Sequence, residues 1–592
     1  MRQRLSEEQK FPGTDGWRNT TVYFNEIEEI KTDLLVVGGG PGGLWSANQF
    51  KTRNAGKDVL IVDKGPKDWS GLMSLSGGDF DAIMPDENVD DWVRDLVYYW
   101  DGLCDQEMME ELIGGIYDRF QDYLSRGCEY LKDEDGKFHG VPQRHLDHYK
   151  LYVTKEKGYG GERLTNALVN WAKELGVRRM GRVQITDLIK KEGQIVGAVG
   201  FHSVEGTAYI FHAKAVVLAC GMAGWKPSYM KNTSTGEWVD MVLRAGVEVS
   251  NFEFGRVWNT PKEFSWEGQT TLLPLGAKYV NKNGENFMKR YSPNFGDNTD
   301  PHYVTLGMAM EARAGRAPIY FDISNLDQSK IDVIKPKHGW QALNYQKMKE
   351  LGTDFFRDRI EWNPQLMCSF GGMVVDLGHR TNIPGLYAVG DCTCLDPGVY
   401  IGGFGLSTAA QGGYLTGNTV TEDLESRIRE ISFERSEAQQ YIDTLEMRMQ
   451  KEGSTPKEVL RKIQEIVFPY EVCIIKSEKS LAEAAEKLAA LKEEMEHMRA
   501  EDPHELLKLV EVRGIYTATE LFIRASRERT ESRGGHFRED YPTYRDEEWL
   551  AWLVFCREGS DLVSYKKPVP LERYKFPLER HYSDNFNFTL AG

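Results

Sequence analysis

The stretch Leu34-Leu-Val-Val-Gly-Gly-Gly-Pro-Gly-Gly43 decides the fold of this chain, because it joins a short apolar strand to a glycine turn that opens a helix. Gly38, Gly40 and Gly43 form the pattern G-x-G-x-x-G. The first glycine permits a tight turn, the second lets the backbone approach a pyrophosphate, and the third lets helix and strand pack closely. The pyrophosphate would lie on N–H groups at the positive end of the helix dipole.

An acidic residue follows at the distance that a dinucleotide site requires. A second apolar run, Val59-Leu-Ile-Val62, ends at Asp63, 20 positions after Gly43. A carboxylate there can accept hydrogen bonds from the hydroxyl groups of a ribose. The sequence therefore predicts a bound dinucleotide. The alternative that the pattern leaves open is a glycine-rich turn that only packs one strand on one helix.

Composition limits the remaining function classes. The chain has 592 residues, a net charge of −17 and eight cysteines. The negative charge argues against binding to nucleic acid or to anionic membranes. Only Cys392 and Cys394 lie close in sequence, and no C-x-x-C pair exists, so we predict no metal site in this chain and reduced thiols in a cytoplasm. The sequence contains no run of roughly 18 apolar residues, so we predict no membrane span.

Shifts in composition predict six segments along the chain. A polar start, two glycine-rich parts and a region rich in Trp, Asn and Pro precede a stretch dominated by Glu, Lys, Ala and Leu. The expected segments are an N-terminal arm (1–30), a dinucleotide-binding domain in two parts (31–240 and 366–428) around an inserted domain (241–365), a helical domain (429–530) and an irregular tail (531–592).

Three glycine-bearing stretches far apart in sequence carry a family resemblance. Besides residues 34–43 they are Ala213–Gly224 and Gly385–Asp391, and a fourth long motif runs from Arg529 to Pro542. With these motifs the chain resembles the flavoprotein subunits of the fumarate reductase and succinate dehydrogenase superfamily. The resemblance implies an α/β fold, with a Rossmann-like FAD-binding domain, an inserted α+β capping domain, a helical domain and an irregular C-terminal tail.

The resemblance also assigns the cofactor site. It implies that FAD contacts the glycine turn, the flavin loop (Ser70-Gly-Leu-Met73), the second glycine stretch and the segment around Asp391. The implied cofactor residues are Gly38, Gly40, Pro41, Gly42, Gly43, Asp63, Lys64, Ser70, Gly71, Ser76, Gly77, Gly78, Val183, Ala219, Gly221, Asp391, Gly405 and Leu406. Many members carry a histidine after the serine of the flavin loop and bind FAD covalently. Gly71 stands there in this chain, so we expect non-covalent FAD.

Within the superfamily, the chain is most similar to the alpha subunit of adenylylsulfate (APS) reductase. The similarity rests on the helical C-terminal region, the stretch Asp546-Glu-Glu-Trp549 and the flavin loop. The substrate residues differ from the family pattern, however. Pro301 and Tyr400 stand where fumarate reductases have arginines, and Phe370 stands where APS reductase has a histidine. The resemblance therefore implies a substrate unlike fumarate.

Four residues are our candidates for catalysis: Arg256, Trp258, His302 and Tyr400. Arg256 could hold an anion or only form an ion pair. His302 could act as an acid or base near neutral pH, although a structural histidine is the plainer interpretation. Tyr400 could donate a proton or pack over the flavin. Trp258, like Phe370, suggests an apolar or aromatic substrate.

We therefore predict an FAD-dependent catalytic subunit of a cytoplasmic oxidoreductase. The resemblance, and the lack of cluster ligands, imply an iron–sulfur (ferredoxin-like) partner subunit. Candidate substrates are the activated C=C bond of an organic acid or CoA thioester, or a sulfur oxyanion. The open alternatives are an electron-transfer module between partner proteins, a true APS or fumarate reductase, and an aspartate oxidase-like enzyme.

Overall fold

A computed structural model describes most of the chain. The described residues are 24–69, 71–155, 160–227, 233–262, 272–273, 276–326, 339–395, 397–449 and 451–588, with only the backbone described for 339–344. Most of the expected N-terminal arm (residues 1–23) and the predicted cofactor residue Ser70 lie outside the described residues.

The strands are numbered in chain order. They are β1 (Glu26–Val37), β2 (Val59–Val62), β3 (Phe80–Asp81), β4 (Gly140–Pro142), β5 (Lys150–Tyr152), β6 (Arg178–Met180), β7 (Val183–Lys191), β8 (Gln194–His202), β9 (Thr207–Leu218), β10 (Ala223–Gly224), β11 (Val249–Ser250), β12 (Gly255–Pro261), β13 (Lys278–Val280), β14 (Ile319–Asp322), β15 (Ile360–Ser369), β16 (Gly372–Met373), β17 (Leu386–Ala388), β18 (Ala551–Glu558) and β19 (Asp561–Pro568).

The helices are numbered in the same way. They are α1 (Pro41–Arg53), α2 (Val89–Tyr99), α3 (Gln106–Ser125), α4 (Gly160–Glu174), α5 (Glu237–Ala245), α6 (Met288–Tyr291), α7 (Pro301–Arg313), α8 (Gly339–Glu350), α9 (Phe404–Ser426), α10 (Arg435–Arg448), α11 (Pro456–Val467), α12 (Tyr470–Cys473), α13 (Glu478–Ala490), α14 (Lys492–Glu496), α15 (Pro503–Glu528) and α16 (Asp546–Trp549).

A seven-stranded sheet positions the candidate site. Its order is β6-β2-β1-β9-β8-β7, and β17 also pairs with β9. Strands β2, β1, β9 and β17 run parallel, and Val37 is in register with both Val62 and Leu218. Their carboxyl ends therefore meet at one edge of the sheet. Directly after these strands come the glycine turn, Asp63, Ala219 and the segment before Asp391. Parallel sheets bind ligands at the edge where the carboxyl ends of their strands meet.

A second sheet forms the core of the inserted region. Its order is β10-β15-β14-β13, and β12 pairs with β15 along seven residues. Helix α7 packs on β12 and β15. Near the end of α7, Glu311 accepts hydrogen bonds from Arg290, Arg316, Asn281 and Tyr291. This buried network joins α6, α7 and the loop after β13.

The C-terminal region covers both sheets. Helix α15 lies so close to α5 that a Cβ on Gly514 would be 2.3 Å from the carbonyl oxygen of Gly236. Besides irregular segments, the tail contains the hairpin β18–β19, which joins β16 and β11 in a four-stranded sheet. The predicted α/β architecture, with its inserted α+β cap and helical C-terminal region, is confirmed. Among the described residues, no helix is both long and apolar enough to cross a bilayer.

Candidate active site

A cavity of about 1120 Å³ lies at the carboxyl edge of the parallel sheet. Pockets for one drug-sized ligand measure about 300–1,000 Å³, so this cavity is large enough for a larger ligand such as a dinucleotide. Its lining includes the glycine turn, Asp63, the flavin loop, Ala219 and Asp391. The lining also includes Arg256, Trp258 and Tyr400, three of the four predicted catalytic residues.

The glycine turn has the geometry that a diphosphate requires. Gly38 has a φ of 109°, and a Cβ there would lie 2.2 Å from the carbonyl oxygen of Ala219. A Cβ on Gly43 would lie 2.0 Å from the carbonyl oxygen of Gly38, so helix and strand are in backbone contact. Gly40 precedes α1 with no side-chain cap, and no atom lies within 4 Å of the position of a Cβ. The helix N-terminus is thus open to an anion.

Asp63 is oriented by the backbone around it. Its carboxylate accepts hydrogen bonds from the backbone N–H groups of Gly39 and Gly65, each at 2.6 Å. The carboxylate lies at the cavity wall, beside the turn that would hold the diphosphate. A ribose diol attached to that diphosphate would reach it. The residues present therefore fit FAD.

Lys64 also lines the cavity, but its ammonium group is engaged by protein atoms. It donates to the Thr235 hydroxyl at 2.7 Å and to the carboxylates of Glu237 and Glu511 at 3.0 and 3.1 Å. Lys226 donates to the other oxygen of Glu511. Because Glu511 belongs to α15, the helical region closes this end of the cofactor cavity.

The structure brings most of the predicted cofactor residues together. The cavity lining contains Gly38, Gly40, Pro41, Gly42, Asp63, Lys64, Gly71, Ser76, Gly77, Val183, Ala219, Gly221, Asp391, Gly405 and Leu406. Gly43 packs behind the turn. Gly78, with a φ of 74°, is in backbone contact with Gly160 at the start of α4. Both residues act through backbone packing.

Gly71 shapes the flavin loop. Its φ is 74°, a conformation that side chains with a Cβ rarely adopt, and a Cβ there would lie 3.5 Å from the Cα of Gly40. Asp391, across the cavity lining, is partly buried. Burial raises the pKa of Asp391, and the positive charge of Arg256 opposes that rise.

Arg256, Trp258 and Tyr400 form one group. Arg256 and Trp258 lie two residues apart on β12, whose register with β15 shifts between Arg256 and Val257. The guanidinium carbon of Arg256 is 4.2 Å from the centroid of the Tyr400 ring and 5.2 Å from that of Trp258. The two rings meet edge to face, with centroids 5.2 Å apart. The group combines a cation with aromatic surface.

His302 lies apart from this group. It is the second residue of α7 and does not belong to the cavity lining. Its ring lies against Gly535, where a Cβ would be 3.2 Å from Cε1. Burial, together with the charge of Lys476, lowers the pKa of His302 to about 4. Its neighbour Tyr303 stacks on Phe586 at 3.6 Å. Phe370 packs in a cluster with Phe254, and Tyr400 packs against that cluster.

The structure adds residues to the site that sequence reasoning missed. Asp300 and Tyr99 line the cavity, and the Tyr99 hydroxyl donates to the Asp300 carboxylate at 2.5 Å. The hydroxyl of Tyr582, from the tail, donates to the other carboxylate oxygen. Arg144 also lines the cavity. No sequence motif links these residues, which come from four distant segments.

Two family matches cover most of the chain. The family described as FAD binding domain matches residues 33–405, and the family described as fumarate reductase flavoprotein C-term matches residues 461–582. Among curated relatives, a subunit of the CoM/CoB fumarate reductase of Methanothermobacter marburgensis is 24% identical, over 90% of this chain and 98% of the relative. The L-aspartate oxidase of Yersinia pestis is 26% identical, over 86% and 96%.

Solved structures share the fold. A point variant of the FrdA chain of Escherichia coli quinol fumarate reductase aligns with a TM-score of 0.84 at 20% identity, over 93% of this chain and 99% of that one. Adenylylsulfate reductase from Archaeoglobus fulgidus aligns with a TM-score of 0.78 at 20% identity, over 93% and 98%. At these identities the likeness concerns the fold.

Proposed function

Since the chain belongs to the FAD-binding family of fumarate reductase and succinate dehydrogenase flavoproteins, we propose that it is the catalytic subunit of an oxidoreductase that acts on a small anionic molecule other than fumarate. The chain binds FAD and is an FAD-dependent oxidoreductase. The observation that supports the substrate proposal is the group of Arg256, Trp258 and Tyr400, which lines the same cavity as the cofactor residues.

Each residue of this group has a proposed role. Arg256 binds the anionic group of the substrate, because a guanidinium matches the planar geometry of a carboxylate or sulfur oxyanion. Trp258 packs against the body of the substrate. The Tyr400 hydroxyl donates the proton that accompanies hydride transfer to a C=C bond. When bound, FAD supplies the hydride and can also exchange single electrons.

An electron partner completes the proposal. Sets of three or more His, Cys, Asp or Glu that could hold a metal ion are absent from the described part of the chain. A curated relative of similar length is named as one subunit of its enzyme. We propose that an iron–sulfur subunit exchanges electrons with the flavin in the cytoplasm, and that FAD is held without a covalent bond because Gly71 replaces the linking residue.

Anaerobic flavin spectroscopy tests this function. The purified FAD-loaded chain is reduced, and fumarate, APS, sulfite, cinnamate and a set of enoyl thioesters are added one at a time. We expect reoxidation by an unsaturated monocarboxylate or thioester, or a response to a sulfur oxyanion, and none by fumarate. Reoxidation by fumarate would contradict the substrate proposal.

One result would favour an electron-transfer module. If every small molecule leaves the reduced flavin unchanged while an iron–sulfur protein reoxidises it, the chain only relays electrons. The Tyr400→Phe variant serves as a control, because it keeps the aromatic ring and removes the proposed proton donor. A slower reaction with small acceptors but unchanged electron exchange with the partner would separate the two activities.

A further inference from the structure

We infer that the substrate carries a single anionic group on an apolar, conjugated body. The inference rests on the proposed function, because it concerns the part of the cavity that the cofactor residues do not account for. Within that part, the substrate chamber is defined here by Tyr99, Met222, Arg256, Trp258, Asp300, Met367, Cys368 and Tyr400.

The surface around Arg256 combines one positive charge with apolar, polarisable side chains. Met222, Trp258, Met367 and Cys368 form a buried apolar cluster against which Tyr400 packs. The Cys368 thiol lies 3.1 Å from the Met222 sulfur, and a guanidinium nitrogen of Arg256 lies 3.8 Å from that same sulfur. Ring faces and sulfur atoms favour contact with a planar, conjugated molecule.

A carboxylate in the chamber disfavours a second negative charge on the ligand. Asp300 is 3% exposed and accepts hydrogen bonds from Tyr99 and Tyr582. Arg144 also lines the cavity, and its positive charge opposes the rise that burial causes in the pKa of Tyr99, so it offsets part of the negative charge of Asp300. A second anionic group on the ligand would face either a like charge or methionine and tryptophan side chains. Both situations are costly for a buried charge.

The consequence is a selectivity that differs from that of a dicarboxylate site. A monoanion with an aromatic or extended unsaturated body satisfies both the guanidinium and the apolar cluster. A small dianion leaves one carboxylate without a partner, and a neutral isostere leaves Arg256 without its anion. We expect each of these to bind at least about tenfold more weakly than the monoanion.

Three probes test this selectivity on the FAD-loaded full chain. Cinnamate, cinnamamide and fumarate are titrated into the oxidised protein, and dissociation constants are taken from difference spectra of the visible flavin bands. Cinnamate is expected to bind at least about tenfold tighter than the other two. Arg256→Gln should weaken cinnamate about tenfold or more and remove its advantage over cinnamamide. The matched control Arg313→Gln, at a half-exposed arginine that does not belong to the cavity lining, should stay within about threefold of wild type.

Flavin content, measured for every variant, separates loss of the anchor from loss of the fold. If Arg256→Gln fails to hold FAD, Arg256→Lys and the wild-type comparison of the three probes decide the question. Fumarate binding as tightly as cinnamate, cinnamamide binding equally well, or an equal loss in Arg313→Gln would each overturn the inference. Silence toward all three probes would overturn it as well. Reoxidation of the reduced protein by other small acceptors would then still support the proposed function.

Discussion

The guanidinium carbon of Arg256 lies 4.2 Å from the centroid of the Tyr400 ring, although 144 residues separate the two in sequence. The ring face stabilises the cation without neutralising its charge. The arginine therefore remains able to bind an anion, and the tyrosine is held at the wall of the cofactor cavity. This pair is the centre of the proposed substrate chamber.

The first prediction separates the two candidate proton donors. Tyr400→Phe should keep FAD and the aromatic contact with Arg256 but lower the rate of flavin reoxidation about 100-fold, the usual order for a lost general acid. His302→Asn should change that rate less than about threefold, because His302 lies outside the cavity lining. Stopped-flow absorbance with the acceptor that reoxidises the wild-type chain measures both. A larger loss in the histidine variant would reverse the assignment.

The second prediction compares two glycines of the same turn. Gly38→Ala should destabilise the FAD-free chain by about 2 kcal/mol or more, because alanine at a φ of 109° would also clash with the Ala219 carbonyl. Gly40→Ala should leave the melting temperature of the FAD-free chain unchanged, since its Cβ meets open space, yet weaken FAD binding about tenfold. Thermal melting and FAD titration separate the effects. Wild-type FAD affinity in Gly40→Ala would contradict the predicted diphosphate site.

The third prediction concerns the attachment of the cofactor. Acid precipitation of the purified protein should release all of its flavin into the supernatant, because Gly71 offers no nucleophile. Absorbance of the supernatant and flavin fluorescence of the denatured protein band measure the two fractions. Flavin that stays with the denatured chain would show a covalent link at another residue.

The fourth prediction tests the ion-pair network of the inserted region. Glu311→Gln should cost about 1–3 kcal/mol, because it removes the charge of a buried carboxylate that pairs with two arginines, which are 39% and 29% exposed. Glu539→Gln is the control, because it breaks a surface ion pair between Glu539, 35% exposed, and Arg313, 51% exposed. It should cost less than about 1 kcal/mol. Chemical denaturation measures both. Equal losses would mean that the buried network contributes no more than a surface pair.

The same carboxylate predicts an acid sensitivity. Burial would raise the pKa of Glu311, but hydrogen bonds from Arg316, Asn281 and Tyr291 outweigh it and lower the pKa from 4.5 to about 2. A lowered pKa in the folded state stabilises the fold above pH 4.5, and this contribution is lost as the pH falls toward 2. Melting temperatures of wild type and Glu311→Gln should therefore converge between these pH values. A constant difference would contradict this.

The fifth prediction concerns the buried Lys476. Its ammonium group donates to the Glu253 carbonyl oxygen at 2.7 Å and lies 3.1 Å from Nδ1 of His536. Burial lowers the pKa of Lys476 from 10.5 to about 7, while the charge of Glu253 raises it and that of Arg538 lowers it further. At pH values between about 7 and 10.5, Lys476 therefore holds its proton in the unfolded chain but not in the folded chain. Stability should therefore increase with pH across that window.

Lys476→Met measures this contribution. The melting temperature of wild type should rise relative to that of the variant from about pH 6, which lies below the window, to about pH 9, which lies within it. The difference between the two curves cancels the titration of other groups. Parallel curves would show that Lys476 keeps its charge in the folded protein across this range.

The cofactor half of the site was predictable from sequence because its determinants are local. The turn at Gly38–Gly43 and the acid at Asp63 each follow directly from a buried strand, and parallel pairing of those strands places them at one edge. Gly71 likewise predicts non-covalent binding from a single position in a loop. These conclusions depend on residue type and short spacing, which the sequence displays directly.

The substrate half depended on the tertiary structure. The sequence named Arg256, Trp258, His302 and Tyr400 as candidates, but only packing joined three of them and left His302 behind the cavity wall. Packing also brought the hydroxyl groups of Tyr99 and Tyr582 to the carboxylate of Asp300, and brought Glu511 of α15 to Lys64. Such contacts join residues hundreds of positions apart through the shape of several packed elements, and no local pattern encodes that shape.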